Sequence, residues 1–177
     1  MRAGVLGLTV FIPVLSGCDG DGLPTYEYGG PLGPEDLFAE GVASGDPLAD
    51  AVILWTRVNS GVIGDARIDV FVEVAKDVAF ENRVIADWAS VSSERAYCLK
   101  LDATGLDSDT TYYYRFYALG RMSPLGRTKT LPNGDVSHVR LGVCACSNYA
   151  YGYFYAYGHM SQRKDLDAIL HLGDYVY

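Results

Sequence analysis

The chain has 177 residues, which is enough for one domain, or for a small domain of about 100 residues and part of a second one. It is 49% hydrophobic and 20% charged, so its composition excludes a disordered chain and predicts a folded globular protein. The formal net charge is −8 and no cluster of Lys and Arg occurs, which argues against a nucleic-acid-binding surface. The 14 tyrosines and 20 glycines favour β structure with many turns.

Residues 1–18 predict an export signal of the lipoprotein type. Arg2 supplies the positive start, and the apolar stretch from Ala3 to Leu15 is too short to span a bilayer. The sequence Leu15-Ser16-Gly17-Cys18 resembles a lipobox, in which the cysteine takes the lipid. We therefore expect an exported protein of the periplasm or cell envelope, held at a membrane surface by acyl chains on Cys18. The alternative is an ordinary secretory signal with a chance cysteine.

Residues 19–34 and 35–134 differ in pattern. The first segment is rich in Gly, Pro and Asp without apolar periodicity, which predicts a tether. In the second, short apolar runs alternate with turn residues, which predicts an all-β sandwich of the fibronectin-III or immunoglobulin-like kind. The runs that predict strands are Phe38–Val42, Ala51–Thr56, Ile68–Val74 and Ala96–Leu101.

The segment from Leu106 to Tyr112 predicts a tyrosine corner. Leu106 would lie in the core, and the Tyr112 hydroxyl would bond back to the backbone of the turn. The aromatic run Tyr112–Tyr117 could form a sugar-stacking platform, but tyrosines beside such a corner are usually packing residues, which is our interpretation. Three further residues are assigned to the core: Trp55, Trp88 and Cys98.

Residues 135–177 have a different periodicity. Val139–Ala145 predicts a buried strand of the parallel type, Tyr149–Lys164 has helical spacing, and Ala168–Leu172 predicts a second strand. Strand, helix and strand form a βαβ unit, so the two strands should be parallel neighbours. The tyrosines between 149 and 157 could cover the mouth of a site, and one face of an amphipathic helix explains them as well.

Candidate metal ligands follow the two predicted strands of this unit. Cys146 comes just after the first strand, and Asp174 and Tyr177 come after the second, where sites form in open α/β sheets. A carboxylate is a hard donor that can bridge two cations, and thiolate and phenolate are anionic donors that suit trivalent iron. We exclude His159, on the helix, and His171, inside the strand, as packing or surface residues.

Several separated motifs carry a family resemblance: Phe38–Pro47, Ile53–Arg57, Ala145-Cys146-Ser147, Asp165-Leu166-Asp167 and His171–Tyr177. In order and spacing they resemble the alkaline phosphatase D family over roughly residues 35–177. The resemblance implies that residues 135–177 are the first βαβ of a truncated α/β metallophosphoesterase domain. It implies a site that holds iron with calcium through Cys146, Asp174 and Tyr177. It also implies hydrolysis of small phosphomonoesters by a metal-activated hydroxide, and phosphodiesters are the second candidate substrate class.

Two features depart from the family pattern. Family members often carry a twin-arginine signal, whereas only Arg2 occurs here, and they often have Ser-Cys-Gln at Ala145-Cys146-Ser147.

Cys144 lies two residues before Cys146 and on the same face if the strand continues. Because a Cys144–Cys146 disulfide would be strained, Cys144 is interpreted as a buried thiol.

Other functions remain open at this point. Three ligands from two strands do not enclose a multi-metal cluster, so we expect the chain alone to be inactive. One alternative is an exported sandwich-domain lipoprotein that binds a partner without catalysis. Another is a phospholipase D-like phosphodiesterase on the same scaffold.

Overall fold

The computed structural model describes residues 20–59 and 66–174, so the predicted signal peptide with Cys18 lies outside the described residues, as does Tyr177. Eight strands of the described residues form two antiparallel sheets. The strands are Val42–Gly45 (β1), Ala51–Arg57 (β2), Ile68–Ala75 (β3), Arg83–Val91 (β4), Cys98–Thr104 (β5), Thr111–Ala118 (β6), Arg121–Met122 (β7) and Gly126–Lys129 (β8). One sheet has the order β1-β2-β5 and the other β4-β3-β6, with β7 and β8 both paired to β6. The prediction of a mostly β structure is confirmed.

The two sheets share one apolar core. Alternate residues of β6 face it, and Tyr112, Tyr114 and Phe116 are each at most 2% exposed. Val52 and Leu54 of β2 face it from the opposite sheet. Burial of one such large apolar side chain contributes about 1.5–3 kcal/mol to stability. The core-facing rings of β6 are therefore packing residues, as interpreted from the sequence, and offer no exposed platform to a sugar.

The predicted tyrosine corner is confirmed in both of its parts. Leu106 is buried in the shared core, and the Asp107 N–H donates to Tyr112 Oη at 2.8 Å. The corner fixes the turn that leads into β6, the strand that contacts β3, β7 and β8.

Replacing Tyr112 by phenylalanine should lower the free energy of unfolding by about 1–3 kcal/mol, because the Asp107 N–H loses its acceptor in a partly buried place. Tyr113→Phe is the matched control, since Tyr113 is the next residue of the same strand and points to the opposite face. Urea denaturation of both variants measures the difference. Equal stabilities would contradict the role of the corner.

The core assignments of Trp55, Trp88 and Cys98 were wrong, since all three are only half-buried. Trp55 follows the core residue Leu54 and Cys98 precedes the core residue Leu99. Successive residues of a strand point to opposite faces, so both side chains lie on the outer faces of the sheets.

The segment predicted to be a tether packs against the outer face of the larger sheet. We call residues 20–34 the N-terminal strap. Arg83 of β4 joins the strap to the sheet, because its guanidinium donates to both carboxylate oxygens of Asp21 at 2.9 Å and to the Pro24 carbonyl at 3.0 Å. The same group donates to Glu73 of β3 at 3.0 Å. Composition alone cannot predict this packing.

An aromatic cluster lies beneath the strap. Tyr26 stacks on Tyr117 with ring centroids 4.8 Å apart, and it contacts Trp88 at 5.6 Å and Phe71 at 5.9 Å. The Tyr26 hydroxyl also accepts a hydrogen bond from the Gly120 N–H at 2.8 Å. The strap therefore closes an apolar surface, which explains why β3 is buried on both of its faces.

The chain then forms a separate strand–helix–strand unit. Its elements are Leu141–Cys144 (β9), Tyr155–Gln162 (α1) and Ala168–His171 (β10), and β9 and β10 pair in parallel as predicted. The helix is shorter than predicted, since Phe154 takes a left-handed conformation and Tyr149–Tyr151 forms a separate short 3-10 helix. β9 was predicted to be a buried strand, but only Gly142 of its four residues is buried, because within the described residues this unit contains only β9, β10 and α1. No helix in the described part of the chain is long and apolar enough to cross a membrane.

An ion-pair cluster connects β8 to the start of β10. Lys129 Nζ lies 2.7 Å from Asp167 Oδ1 and 2.8 Å from Asp109 Oδ1, and Asp109 and Asp167 together raise the pKa of Lys129. The second Asp167 oxygen accepts from the Arg140 N–H at 2.8 Å. These bonds fix the strand–helix–strand unit against the larger sheet.

The Asp167 contribution to stability should depend on pH. The Arg140 N–H, and then Lys129, hold the pKa of Asp167 below its ordinary value of 3.8. A carboxyl whose pKa is lowered in the folded state stabilises the fold above the ordinary pKa, and that contribution is lost as the pH falls through the lowered pKa. The stability difference between the wild-type chain and Asp167→Asn, measured by urea denaturation, should therefore be largest above about pH 4 and shrink in stronger acid. A difference that stays constant with pH would contradict this.

Candidate metal centre

Cys146 and Asp174 lie together because the two strands before them are parallel. Each residue follows the carboxyl end of its strand, and these ends meet at one edge of the sheet. The Cys146 thiol donates to Asp174 Oδ2 at 3.5 Å. Two backbone bonds hold the turns in register: Cys146 N–H donates to the Gly173 carbonyl at 3.1 Å and Ser147 N–H to the Asp174 carbonyl at 2.8 Å.

Both candidate ligands have left-handed backbone conformations. The φ angle is +60° at Cys146 and +52° at Asp174, and Gly173 between β10 and Asp174 has φ +106°. A non-glycine residue in this region costs about 1–3 kcal/mol and is concentrated at functional sites. The strand ends at Cys144, so the condition for Cys144 and Cys146 to share one face, a strand that continues to Cys146, is not met.

The two donors fit a shared metal ion. Their separation of 3.5 Å is shorter than the sum of a metal–sulfur and a metal–oxygen bond, about 4.4 Å, so both can reach one ion. Both side chains are exposed and accessible to a cation from solvent. Within residues 20–59 and 66–174, no group of three His, Cys, Asp or Glu side chains is arranged to hold a metal ion. The third predicted ligand, Tyr177, is outside the described residues.

Sequence reasoning also assigned roles to three further residues of this region: His159, Cys144 and His171. His159 is exposed on α1. Cys144 was predicted to be a buried thiol but is only half-buried, with Sγ 3.7 Å from the Leu170 carbonyl oxygen. His171 was excluded as a packing residue, yet it contacts the residue after Cys146, since its Nε2 lies 3.3 Å from Ser147 Oγ.

A hydrogen-bonded cluster behind the candidate ligands was missed by sequence reasoning. Tyr157 Oη lies 2.9 Å from His171 Nε2 and also contacts Ser147 Oγ, which is buried. The rings of Tyr157 and His171 stack with an interplanar angle of 5°. We call Ser147, Tyr157 and His171 the positioning cluster. The available signal was the position of Ser147 directly after Cys146 and of His171 three residues before Asp174.

The exposed tyrosines of this region do not pack on a helix face. Tyr151, Tyr153 and Tyr155 are each more than 70% exposed, and the rings of Tyr153 and Tyr155 stack at 5.6 Å. The interpretation of these residues as one amphipathic face was therefore wrong, because the predicted helix is interrupted at Phe154.

Comparison with known proteins finds a family model for each of the two parts of the chain, the sandwich and the strand–helix–strand unit. The family model described as "PhoD-like phosphatase, N-terminal domain" matches residues 31–132, and the model described as "PhoD-like phosphatase" matches residues 141–177. Alkaline phosphatase D of Bacillus subtilis (strain 168) is 41% identical in an alignment of 147 residues that covers 79% of this chain and 25% of that protein. The chain thus spans about a quarter of the length of this curated relative.

One solved structure agrees with this assignment. A structure of PhoD superposes with a TM-score of 0.78 at 39% identity, covering 84% of this chain and 30% of that chain. A sensor domain of the anti-sigma factor RsgI4 in Pseudobacteroides cellulosolvens matches at 15% identity with a TM-score of 0.40 over 52% of this chain and 93% of its own, which is too low to carry an argument. The two family models and the identity to alkaline phosphatase D show that this chain belongs to the PhoD-like phosphatase family.

Proposed function

We propose that this chain supplies the N-terminal part of an exported, metal-dependent phosphoester hydrolase that acts on small phosphomonoesters and also on diesters. The observation that carries the proposal is the approach of Cys146 Sγ to Asp174 Oδ2 at the carboxyl ends of two parallel strands. Membership of the PhoD-like phosphatase family supports phosphoester hydrolysis. It does not favour a binding module without catalysis or a phospholipase D-like activity.

The proposed metals are iron and calcium, held by Cys146, Asp174 and Tyr177. When bound, such a centre supplies a hydroxide for attack on phosphorus and neutralises charge on the phosphoryl group. Cys146 and Asp174 provide two anionic donors on turns that are already bonded to each other, so little rearrangement is needed to bring them together. Gly173 has φ +106°, a backbone conformation that residues with a side chain rarely adopt, so glycine suits this turn beside Asp174.

The proposed role of residues 35–134 is a fibronectin-III or immunoglobulin-like sandwich that supports the catalytic domain. Two antiparallel sheets around one core and a tyrosine corner support this assignment. The proposed identity of residues 135–177 is the first βαβ of an α/β metallophosphoesterase domain. The parallel pairing of β9 and β10 supports it.

The proposed location is the periplasm or cell envelope, with the protein anchored by a lipid on Cys18. Support comes from the apolar stretch Ala3–Leu15 and the lipobox-like sequence that ends in Cys18. Labelling cells with a radioactive fatty acid tests the anchor, because Cys18→Ala should abolish incorporation into this protein.

A chimera tests the proposed activity. This chain replaces the matching quarter of Bacillus subtilis alkaline phosphatase D, and the product is assayed with an aryl phosphate monoester and an aryl diester. The proposal predicts hydrolysis that is lost on chelation and restored by iron with calcium. A folded chimera that loads metal but hydrolyses neither ester would overturn the proposal.

A further inference from the structure

The structure assigns a positioning role to Ser147, Tyr157 and His171: we propose that this positioning cluster holds the turns of Cys146 and Asp174 in their left-handed conformations, so that the two donors face each other before any metal binds. This inference rests on the proposed metal site, because it concerns the same two ligands. None of the three residues is offered as a ligand.

The cluster connects all three elements of the strand–helix–strand unit. Ser147 follows β9, Tyr157 belongs to α1, and His171 ends β10. Tyr157 Oη contacts both other members, and lies 2.9 Å from His171 Nε2. A hydroxyl on the helix therefore bonds the turn after the first strand to the end of the second strand.

The imidazole of His171 also orients the turn of Asp174. The Gly173 N–H donates to His171 Nδ1 at 3.3 Å, so Nδ1 is the acceptor nitrogen and Nε2 carries the proton of the neutral ring. The Nε2–H is then directed to Tyr157 Oη at 2.9 Å, with Ser147 Oγ at 3.3 Å. Tyr157 Oη, accepting from His171, can donate its own proton to Ser147 Oγ.

The proposed function of the positioning cluster is to hold two strained backbone conformations. Left-handed Cys146 and Asp174 are each unfavourable in isolation, and such conformations persist only where the surroundings determine them. Ser147 is bonded through its backbone N–H to the Asp174 carbonyl and through its side chain to Tyr157, and it is 9% exposed. The side-chain cluster thus acts on the same turns that the backbone bonds hold.

The first test measures hydrogen exchange in the metal-free 177-residue chain by NMR. Tyr157→Phe and Ser147→Ala should accelerate exchange of the Cys146, Ser147 and Gly173 amides by about threefold to tenfold, the effect expected for one lost hydrogen bond. Tyr155→Phe is the matched control, because Tyr155 lies on the same helix and is 72% exposed. Unchanged exchange in both cluster variants, with the fold intact, would overturn the inference.

A second measurement reports the tautomer of His171. Long-range proton–nitrogen NMR at mildly alkaline pH should find the proton on Nε2 in the wild-type chain and in Tyr155→Phe. A proton on Nδ1 would contradict the bond from Gly173 and overturn the assignment.

Cobalt binding separates this inference from the proposed metal site. Titration of the 177-residue chain with Co²⁺ should produce a thiolate-to-cobalt charge-transfer band that Cys146→Ala removes. Tyr157→Phe should weaken Co²⁺ affinity about tenfold relative to Tyr155→Phe, the lower end of the loss found for outer-shell partners of metal ligands. A missing band in the wild-type chain, or one unaffected by Cys146→Ala, contradicts the metal site. A Cys146-dependent band with equal affinities in the two tyrosine variants overturns the positioning role alone.

Discussion

Replacing Arg83 by methionine should lower the free energy of unfolding by about 3 kcal/mol and detach the N-terminal strap. The Arg83 side chain is 4% exposed and Glu73, its partner on β3, is 7% exposed, so the substitution breaks a buried ion pair. Removing one partner of such a pair costs about 3–5 kcal/mol, and the lower end applies because Arg115 still pairs with Glu73 at 2.8 Å. Urea denaturation gives the change in stability.

Protease sensitivity gives an independent measure of the strap. Without Arg83, Asp21 keeps only the bond from the Leu23 N–H and the Pro24 carbonyl loses the guanidinium donor. Cleavage within residues 20–34 should then become faster than global unfolding of the two sheets. Arg95→Met is the control, because Arg95 is exposed and its replacement should change stability by less than about 0.5 kcal/mol. A strap that resists cleavage in Arg83→Met would show that the aromatic contacts of Tyr26 suffice to hold it.

A double-mutant cycle isolates the contact between Arg83 and Glu73. Glu73 also accepts from Arg115 and from the Tyr117 hydroxyl, so the loss in Glu73→Gln alone includes several contacts. Burial, and then the Glu73 charge, raise the pKa of Tyr117 to about 12, so its hydroxyl stays a donor through the neutral range. The coupling energy between Arg83→Met and Glu73→Gln should lie between about 0.5 and 3 kcal/mol, and additive effects would contradict direct contact.

Replacing either Cys146 or Asp174, the two proposed ligands among the described residues, should abolish metal binding and hydrolysis in the chimera with Bacillus subtilis alkaline phosphatase D. Replacing an outer-shell partner of a metal ligand already costs about 10–100-fold in affinity or activity. We therefore expect Cys146→Ala and Asp174→Ala each to reduce hydrolysis of the aryl phosphate more than about a hundredfold. Iron content, measured by elemental analysis, should fall with activity.

Cys144→Ala is the matched control for Cys146→Ala. Cys144 lies two residues earlier at the end of β9, and its Sγ approaches the Leu170 carbonyl rather than Asp174. Its replacement should leave iron content unchanged. If both cysteine variants lose iron equally, the effect comes from damage to the strand and not from loss of a ligand.

Local sequence signals predicted the parts of the molecule whose contacts are close in the chain or set by strand order. The corner formed by Leu106 and Tyr112 follows a local motif, and the approach of Cys146 to Asp174 follows from two strands that pair in parallel. Both predictions needed only secondary structure and one topological rule.

Those local signals did not predict the packing of segments that are distant in the chain. The strap has the Gly, Pro and Asp content of a linker, and its packing depends on Arg83, which lies more than fifty residues away in the chain. Strand alternation indicates that Trp88 shares a face with alternate residues of β4, but not whether another segment covers that face. Tyr157 was missed because its role depends on where α1 begins, and the left-handed Phe154 shifts that start.

X-ray absorption at the iron edge, measured on the metal-loaded chimera, tests the central claim most directly. The Cys146 thiolate lies close enough to Asp174 Oδ2 to share one ion, so the spectrum should contain one sulfur scatterer at bonding distance. Cys146→Ser should remove that scatterer, and Cys144→Ala should leave it. An iron shell of oxygen and nitrogen alone in the wild-type chimera would contradict the metal site proposed at the ends of β9 and β10.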